Sequence, residues 1–429
     1  MLKSMNRLMQ CVLSQRVILI NIAVLLGSIV FSSCGTSKLK ANHIVASNNH
    51  FTGLLVIDPT TNDTLVNQNA NKYFTPASNT KIFTLYTALK LLPEKLPALK
   101  YVQKNDTLFI EGTGDPTLMH FDFENQTTID FLKKHKNIAL HLNNYSGNRY
   151  GPGWAWEDYD TYFSSEVSSL PLFGNVITVT QTDSLLVVPN HFKETTFQGS
   201  RKKLREERRN SFFIPYTTDT LQIPFITSQK LTVTLLKKAT GCSISITKGM
   251  PAVRKQILWG INTDTLCKKM MQESDNFLAE QLMLMASSQL SDSLSFAVAR
   301  DNILEKKLAD LEHPPRWVDG SGLSRYNLFT PNSMVRTLHK MYREFPKERL
   351  FYLFPRWNES GTLKNSEGGN AFIIAKSGAL GNNYNLSGYL ITKSGKVLIF
   401  SYMNNHFRVP IRDIRIKIKE TLQQLHENY

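Results

Sequence analysis

The chain has 429 residues, 41% of them hydrophobic and 20% charged, a balance that excludes a multi-spanning membrane protein and a disordered polyelectrolyte and leaves room for about three globular domains. Its 50 basic against 35 acidic residues give a formal net charge of +15, which favours approach to an anionic surface: nucleic acid, acidic lipid headgroups or a cell-wall polymer. No RNP-like aromatic string, zinc-finger spacing or basic zipper accompanies that charge, and no heptad, collagen or solenoid period is visible, so nucleic-acid binding and those architectures are set aside.

Residues 1–33 read as a leader. Lys3, Arg7 and Arg16 are followed by an apolar run from Val17 to Phe31 that contains Asn21, and the run falls short of the roughly 20 residues that cross a bilayer comfortably. Phe31-Ser32-Ser33-Cys34 followed by Gly35 resembles the lipobox of bacterial lipoproteins. That resemblance implies a lipidated Cys34 as the new N-terminus and a membrane anchor on the periplasmic side of the envelope, with an uncleaved anchor or plain secretion as the alternatives. Residues 34–49 are polar and form a tether. Cys11 lies in the leader and Cys34 in the lipobox, which leaves Cys242 and Cys267 either as a disulfide or as two buried thiols.

The fold begins near Phe51, where FTGLLVIDPTTNDTLVNQNANKYFTPAS reads as two strands around a Pro/Thr/Asn/Asp turn. From Ser78 to Lys90, apolar side chains at 82, 83, 85, 86 and 89 predict a buried helix, and Pro76 fits its entrance. Residues 96–250 change character: NVITVTQTDSLLVV and KLTVTLLKKATGCSISITK alternate like strands, and GTGDP and SGNRYGPGWAW are turns, which predicts a β-rich inserted domain. Within it RKKLREERR (201–209) reads as an exposed basic face that could contact an anionic polymer. Helical patterns return over 265–289 and 294–308, then a loop and a helix from about Asn332. Three successive strands from 371 to 405 and a helix over 411–427 complete the chain. The expected architecture is an α+β domain, residues 50–95 and 251–429, interrupted by that insert.

Three short elements stand in order: Ser78-Asn79-Thr80-Lys81, Ser274-Asp275-Asn276 and Lys376-Ser377-Gly378. They match the S-x-x-K, S-D-N and K-T-G signature of penicillin-binding proteins and class A β-lactamases. Ser-x-x-Lys recurs at 37–40, 200–203 and 245–248, and Lys-Ser-Gly at 393–395, but the first two lie in the tether and the basic cluster, the third on a predicted strand and the last at a predicted hairpin turn. Only 78–81 opens a helix, where residues three apart share a face and the amine can reach the hydroxyl. A serine nucleophile needs a nearby base, and acyl transfer needs donors for its oxyanion. Ser78 fits the nucleophile and Lys81 its base, made partly neutral by burial and by the charge of Lys376. Ser274 and Asn276 would relay protons and orient the substrate amide, Lys376 and Ser377 would meet a substrate carboxylate, and the N–H groups of Ser78 and Ala379, beside Gly378, would form the oxyanion hole.

GTGDPTL (112–118), YGPGWAWEDYDTYFSSEVSSLPLFGN (150–175), DGSGLSRYNLFTP (319–331) and AKSGALGNNYNLSGYL (375–390) resemble the D-alanyl-D-alanine carboxypeptidase/endopeptidase family, the class C low-molecular-mass penicillin-binding proteins. The resemblance covers roughly residues 50–410. It implies a penicillin-binding transpeptidase-like (β-lactamase-like) domain with the insert packed against it. It also implies peptidoglycan stem peptides or cross-links as substrates, a serine acyl-enzyme, β-lactam antibiotics as inhibitors, and no metal or organic cofactor. The third element carries Ser377 in place of the usual threonine, a mild change. At the Asp-x-Ser position of the family's insert stands Asn144-Tyr145-Ser146, so the charge that would recognise a substrate amine is missing if Asn144 is the equivalent residue. A serine β-lactamase is the nearest rival, opposed by the large insert and by the absence of an acidic ExxLN-type segment after 276. A catalytically silent wall-binding lipoprotein of the same fold is another. A Ser-His-Asp hydrolase has no G-x-S-x-G elbow to support it, and His191 and His339 read as ordinary surface or helix-face residues.

Overall fold

The computed structural model describes residues 49–181, 184–199, 201–216, 219–364 and 371–429. The predicted signal peptide, Cys34 and the tether up to residue 48 lie outside the described residues. Strands β1 (Phe51–Ile57) and β2 (Thr64–Gln68) form the expected hairpin, its turn held by Thr60 N–H donating to the Asp58 carboxylate at 2.8 Å. A short 3-10 turn, Ala77–Thr80, then runs straight into helix α1 (Lys81–Leu91).

The insert follows as β3 (Lys95–Lys104), β4 (Thr107–Gly112), α2 (Thr127–Lys133), β5 (Asn137–His141), β6 (Val176–Gln181), β7 (Leu185–Val188), β8 (Thr196–Gln198), β9 (Phe212–Ile214), β10 (Leu221–Pro224), α3 (Gln229–Thr240), β11 (Ser243–Ile246) and β12 (Gln256–Asn262). Its main sheet has the order β11-β5-β4-β3-β12, with β10-β6-β7 and β8-β9 as smaller sheets. It is β-rich as expected, but KLTVTLLKKAT is helix α3 and not a strand. The Ser228 hydroxyl accepts from Leu231 N–H at 3.1 Å, Gly241 closes the helix at φ 75°, and Leu235 and Leu236 are buried on one side. Strand β11 pairs parallel to β5, and α3 carries the chain to it from β10 of a smaller sheet. Strand β12 pairs with β3, so this sheet takes in 256–262, beyond the predicted end of the insert at 250.

Helices α4 (Thr263–Glu273), α5 (Asn276–Ser288), α6 (Phe296–Lys306), α7 (Pro331–Glu344) and α8 (Lys347–Leu353) come next, followed by β13 (Ile373–Leu380), β14 (Asn383–Ile391), β15 (Val397–Asn405) and α9 (Ile411–Asn428). The continuous helix expected over 265–289 is broken: Ser274 has φ 59°, which ends α4, and the Asp275 carboxylate caps α5 by accepting from Leu278 N–H at 2.8 Å. The closing sheet, β13-β14-β15-β1-β2, is antiparallel throughout. Alternation along β14 divides its side chains between two faces. Asn385, Ser387 and Tyr389 point toward the serine turn and α7, whereas Tyr384 lies under Arg415 of α9.

Among the described residues two large apolar cores stand out beside a small cluster of Val167, Leu284 and Leu294. One joins Ile82, Phe83, Leu278, Leu282, Leu338 and Tyr389, and the other, inside the insert, joins Leu108, Ile138, Ile177, Phe212 and Leu236. Cys267 is sealed in the first and Cys242 packs against the second; both are free thiols, so the predicted alternative of a disulfide does not hold. Among the described residues, no helix is long and apolar enough to cross a membrane.

Candidate active site

The three motifs meet where four element ends converge. Ser78 sits on the 3-10 turn and Lys81 is the first residue of α1, so the i, i+3 spacing lays the amine beneath the hydroxyl. Lys81 is fully buried, and its Nζ donates to Ser78 Oγ at 3.1 Å, Asn276 Oδ1 at 2.6 Å and the Ser321 carbonyl at 2.8 Å. Ser274, at the left-handed corner between α4 and α5, accepts from Lys376 Nζ at 2.9 Å. Lys376, also fully buried, donates further to the Ser377 carbonyl at 2.8 Å, and Ser377 Oγ lies 2.9 Å from Thr362 Oγ1. Asn276 turns its amide nitrogen to the Phe163 carbonyl at 3.0 Å, so a loop of the insert reaches the motif residues.

Gly378 and Asn385 bring β13 against Ser78. A Cβ at Gly378 would stand 2.6 Å from the Pro76 carbonyl oxygen and 2.9 Å from Ser78 N, so only glycine allows this approach. Asn385, opposite Gly378 on β14, donates to the Thr75 and Pro76 carbonyls at 3.0 and 2.9 Å and ties the sheet to the turn. Ala77, just before Ser78, has φ 49°, and Gly322 packs so closely under the Ala77 carbonyl that a Cβ there would collide with it. Ala379, next to Gly378, is exposed on β13, an edge strand.

Burial pushes Lys81 down to about 8, against the opposing pull of the Asp275, Asp319 and Glu280 carboxylates. Burial, and after it the charge of Lys81, holds Lys376 well below the usual lysine range. The burial the sequence argument expected at Lys81 is its largest cause here, and the lysine–lysine charge effect is seen on Lys376.

Several participants carry no motif of their own. Ser321 lies in the DGSG segment, where its carbonyl is the third acceptor of Lys81. Asp319 Oδ1 accepts from Gly322 N–H and Asn327 Nδ2, and Oδ2 from Ser324 N–H and Trp154 Nε1, at 2.6 to 2.9 Å. Glu280 accepts from Gly320 and Ser321 N–H at 2.9 and 2.8 Å. The signal that could have found Glu280 is its i+4 spacing from Asn276 on one face of α5. Thr362 had no such signal.

Asn144 is not brought into this group. Its Nδ2 donates to the Gly112 carbonyl at 2.7 Å, and it lines a separate cavity with Glu111, His141 and Lys255. The other copies of the motifs also stay apart: Ser245 is on β11, Lys393-Ser394-Gly395 forms the β14–β15 turn with Gly395 at φ 84°, and Cys34 and 37–40 lie outside the described residues. His339 is buried on α7 and His191 lies beside Lys238 in the insert, as ordinary packing residues. Arg205, in the middle of the basic run, departs from the expected exposed face: it is buried and donates to the Tyr159 and Glu206 carbonyls at 3.1 and 2.9 Å.

A buried lysine beneath a serine, a second buried lysine on a Ser-x-Asn corner and an edge strand alongside define a penicillin-binding protein fold. Solved structures agree. Penicillin binding protein 4 of Haemophilus influenzae matches with a TM-score of 0.74 at 19% identity, covering 91% of this chain and 100% of that one. The same protein complexed with a novel β-lactam matches with a TM-score of 0.62 at 18% identity, covering 89% and 96%. In sequence, D-alanyl-D-alanine carboxypeptidase DacB of Haemophilus influenzae is 33% identical over 152 residues, which is 33% of this chain and 31% of that protein. The profile of the D-Ala-D-Ala carboxypeptidase 3 (S13) family matches residues 40–211 and 262–425, and the chain belongs to that family.

Proposed function

We propose that the chain is a serine D-Ala-D-Ala carboxypeptidase and endopeptidase that acts on peptidoglycan stem peptides and cross-links through a Ser78 acyl-enzyme, and that β-lactams acylate the same serine. The observation that carries this reading is the set of three acceptors around Lys81. Asn276 Oδ1 and the Ser321 carbonyl can only accept. A neutral amine therefore spends its two N–H bonds on them and turns its lone pair to Ser78 Oγ, which is the alignment a general base requires.

In acylation the Ser78 hydroxyl proton passes to Lys81 as Oγ bonds to the penultimate D-Ala carbonyl carbon. The C–N bond to the terminal D-Ala then breaks, and its nitrogen receives a proton through Ser274, whose hydroxyl accepts from Lys376 and keeps its own hydrogen to donate. The Ser78 and Ala379 N–H groups hold the oxyanion, favoured by the close approach of Gly378. The terminal carboxylate sits near Ser377 and Lys376, and its charge restores the protonated form of that lysine. Water then attacks the acyl carbon and gives one proton through Ser274 to Lys376, while Ser78 leaves with the proton that Lys81 holds.

The first experiment is intact mass after incubation with a penicillin, on the wild type and Ser78→Ala. A stable adduct on the wild type alone is expected; an adduct on both removes Ser78 from the role, rapid turnover points to a β-lactamase, and no adduct on either points to a silent wall-binding protein. We further propose that 1–33 is a signal peptide and that Cys34 carries a lipid anchor in the envelope, with the transpeptidase-like domain formed by the chain on either side of an insert whose sheet runs from β3 to β12. Cys34→Ser is expected to leave the membrane fraction, and identical fractionation of the two forms would sink the anchor.

A further inference from the structure

Behind Lys81, on the side away from Ser78, lies a second polar layer that the proposed chemistry leaves unused. Glu280 is buried on α5, one turn beyond Asn276, and its two carboxylate oxygens take the Gly320 and Ser321 N–H groups. The carbonyl of that same Ser321 receives Lys81 Nζ. Asp319, one residue further back, is held in place by four donors. Both carboxylates line a cavity of about 600 Å³ shared with Tyr145, Tyr150, Leu284 and Phe296. Glu280 thus touches the loop that holds the base, and it also borders a space through which a proton can arrive.

We propose that Glu280 is a positioning residue for the lysine base: it fixes the Ser321 carbonyl on Lys81, and its charge, adjustable through the cavity, sets how readily Lys81 gives up its proton. The proposal rests on Ser78 being acylated with Lys81 as its base. The charged groups around this layer are Asp319 from the loop, beside Glu280, and Lys81 from α1, on which Asp275 of the α4–α5 corner also acts, with Tyr145 and Arg300 at the cavity. Burial and the neighbouring Asp319 push Glu280 up to about 7, while its backbone donors oppose the shift. It therefore changes charge just below the pH range in which Lys81 does.

The sign follows. A carboxylate near Lys81 stabilises the ammonium, so protonating Glu280 as pH falls weakens the hold of Lys81 on its own proton. In the wild type, the acid limb of acylation is expected to be shallower than one proton. Glu280→Gln removes the charge permanently, so its limb should fall with a slope of one and lie at lower pH by up to about half a unit where wild-type Glu280 is ionised, roughly threefold faster relative to its own plateau there, with the two curves converging at lower pH, where Glu280 is itself protonated.

The experiment is the rate of acylation of the full chain by a fluorescent penicillin across pH 5.5 to 10 for the wild type and Glu280→Gln. A one-proton wild-type limb, or a limb unmoved in the variant, overturns the inference. A lower plateau with an unmoved midpoint would mean Glu280 only supports the loop, which also overturns it. If Glu280→Gln does not fold, the wild-type slope decides alone: a shallow limb supports the inference and a slope of one overturns it. Absence of any wild-type adduct at every pH is a different failure, which sinks the Ser78 reading and this inference with it.

Discussion

The transpeptidase-like region and the insert each bury a cation, and they do so to different ends. Lys81 is surrounded by Ser78, Asn276 and the Ser321 carbonyl, and burial brings it down to about 8. Arg205 of the insert is equally buried, and its guanidinium donates to backbone carbonyls and lies 5.1 Å over the Tyr159 ring. A lysine can shed its proton to escape the expense of desolvation, whereas a guanidinium stays charged. Burial therefore suits the one to the proposed role of base and makes the other a clamp. What the clamp grips is the 150–164 loop, which supplies the Phe163 carbonyl to Asn276 and the Trp154 N–H to Asp319.

The largest expected effect comes from Lys81→Met, which keeps the volume and removes the proposed base. Penicillin acylation, followed by mass, should fall by about 10²- to 10⁴-fold, while urea unfolding changes little, because lost hydrogen bonds are offset by removal of a desolvated amine. Retained acylation would end the idea that burial serves basicity here. A smaller effect on chemistry and a larger one on stability are expected for Arg205→Met. It leaves the Tyr159 and Glu206 carbonyls unpaired and should lower the unfolding free energy by about 2–4 kcal/mol, with acylation slowed by less than about tenfold in the fraction that stays folded. A variant of wild-type stability but poor acylation would reverse the contrast.

Much of this arrangement is legible in the sequence. The Ser78–Lys81 contact follows from helical spacing, and the distinction between 376–378 and 393–395 follows from a strand against a turn, because both are local consequences of chain geometry. The failures are local as well. Leu-Thr-Val-Thr-Leu-Leu satisfies a strand's alternation and also a helix with Leu231, Leu235 and Leu236 inward, and the parallel neighbour β11 decides between them. The apolar periodicity of 265–289 continues across Ser274 because both helices face one core; only the left-handed residue and the Asp275 cap mark the break. Glu280, Asp319 and Thr362 escaped because their roles depend on which backbone groups the tertiary fold places beside them. Arg205 escaped because charge composition predicts exposure, and only the packed Tyr159 loop reverses it.

The left-handed Ser274 holds two properties in opposition. Its φ of 59° is a region that an L-residue enters at a penalty of about 1–2 kcal/mol and glycine enters freely. Glycine at 274 would relax the corner and raise the melting temperature, and by the same change it would remove the hydroxyl that receives Lys376. Selection for robustness alone would drive this position to glycine. If Ser274 has the proposed relay role, the serine that stands there exchanges strain for function, so thermostabilised variants that mutate it should be screened for activity before they are called improved.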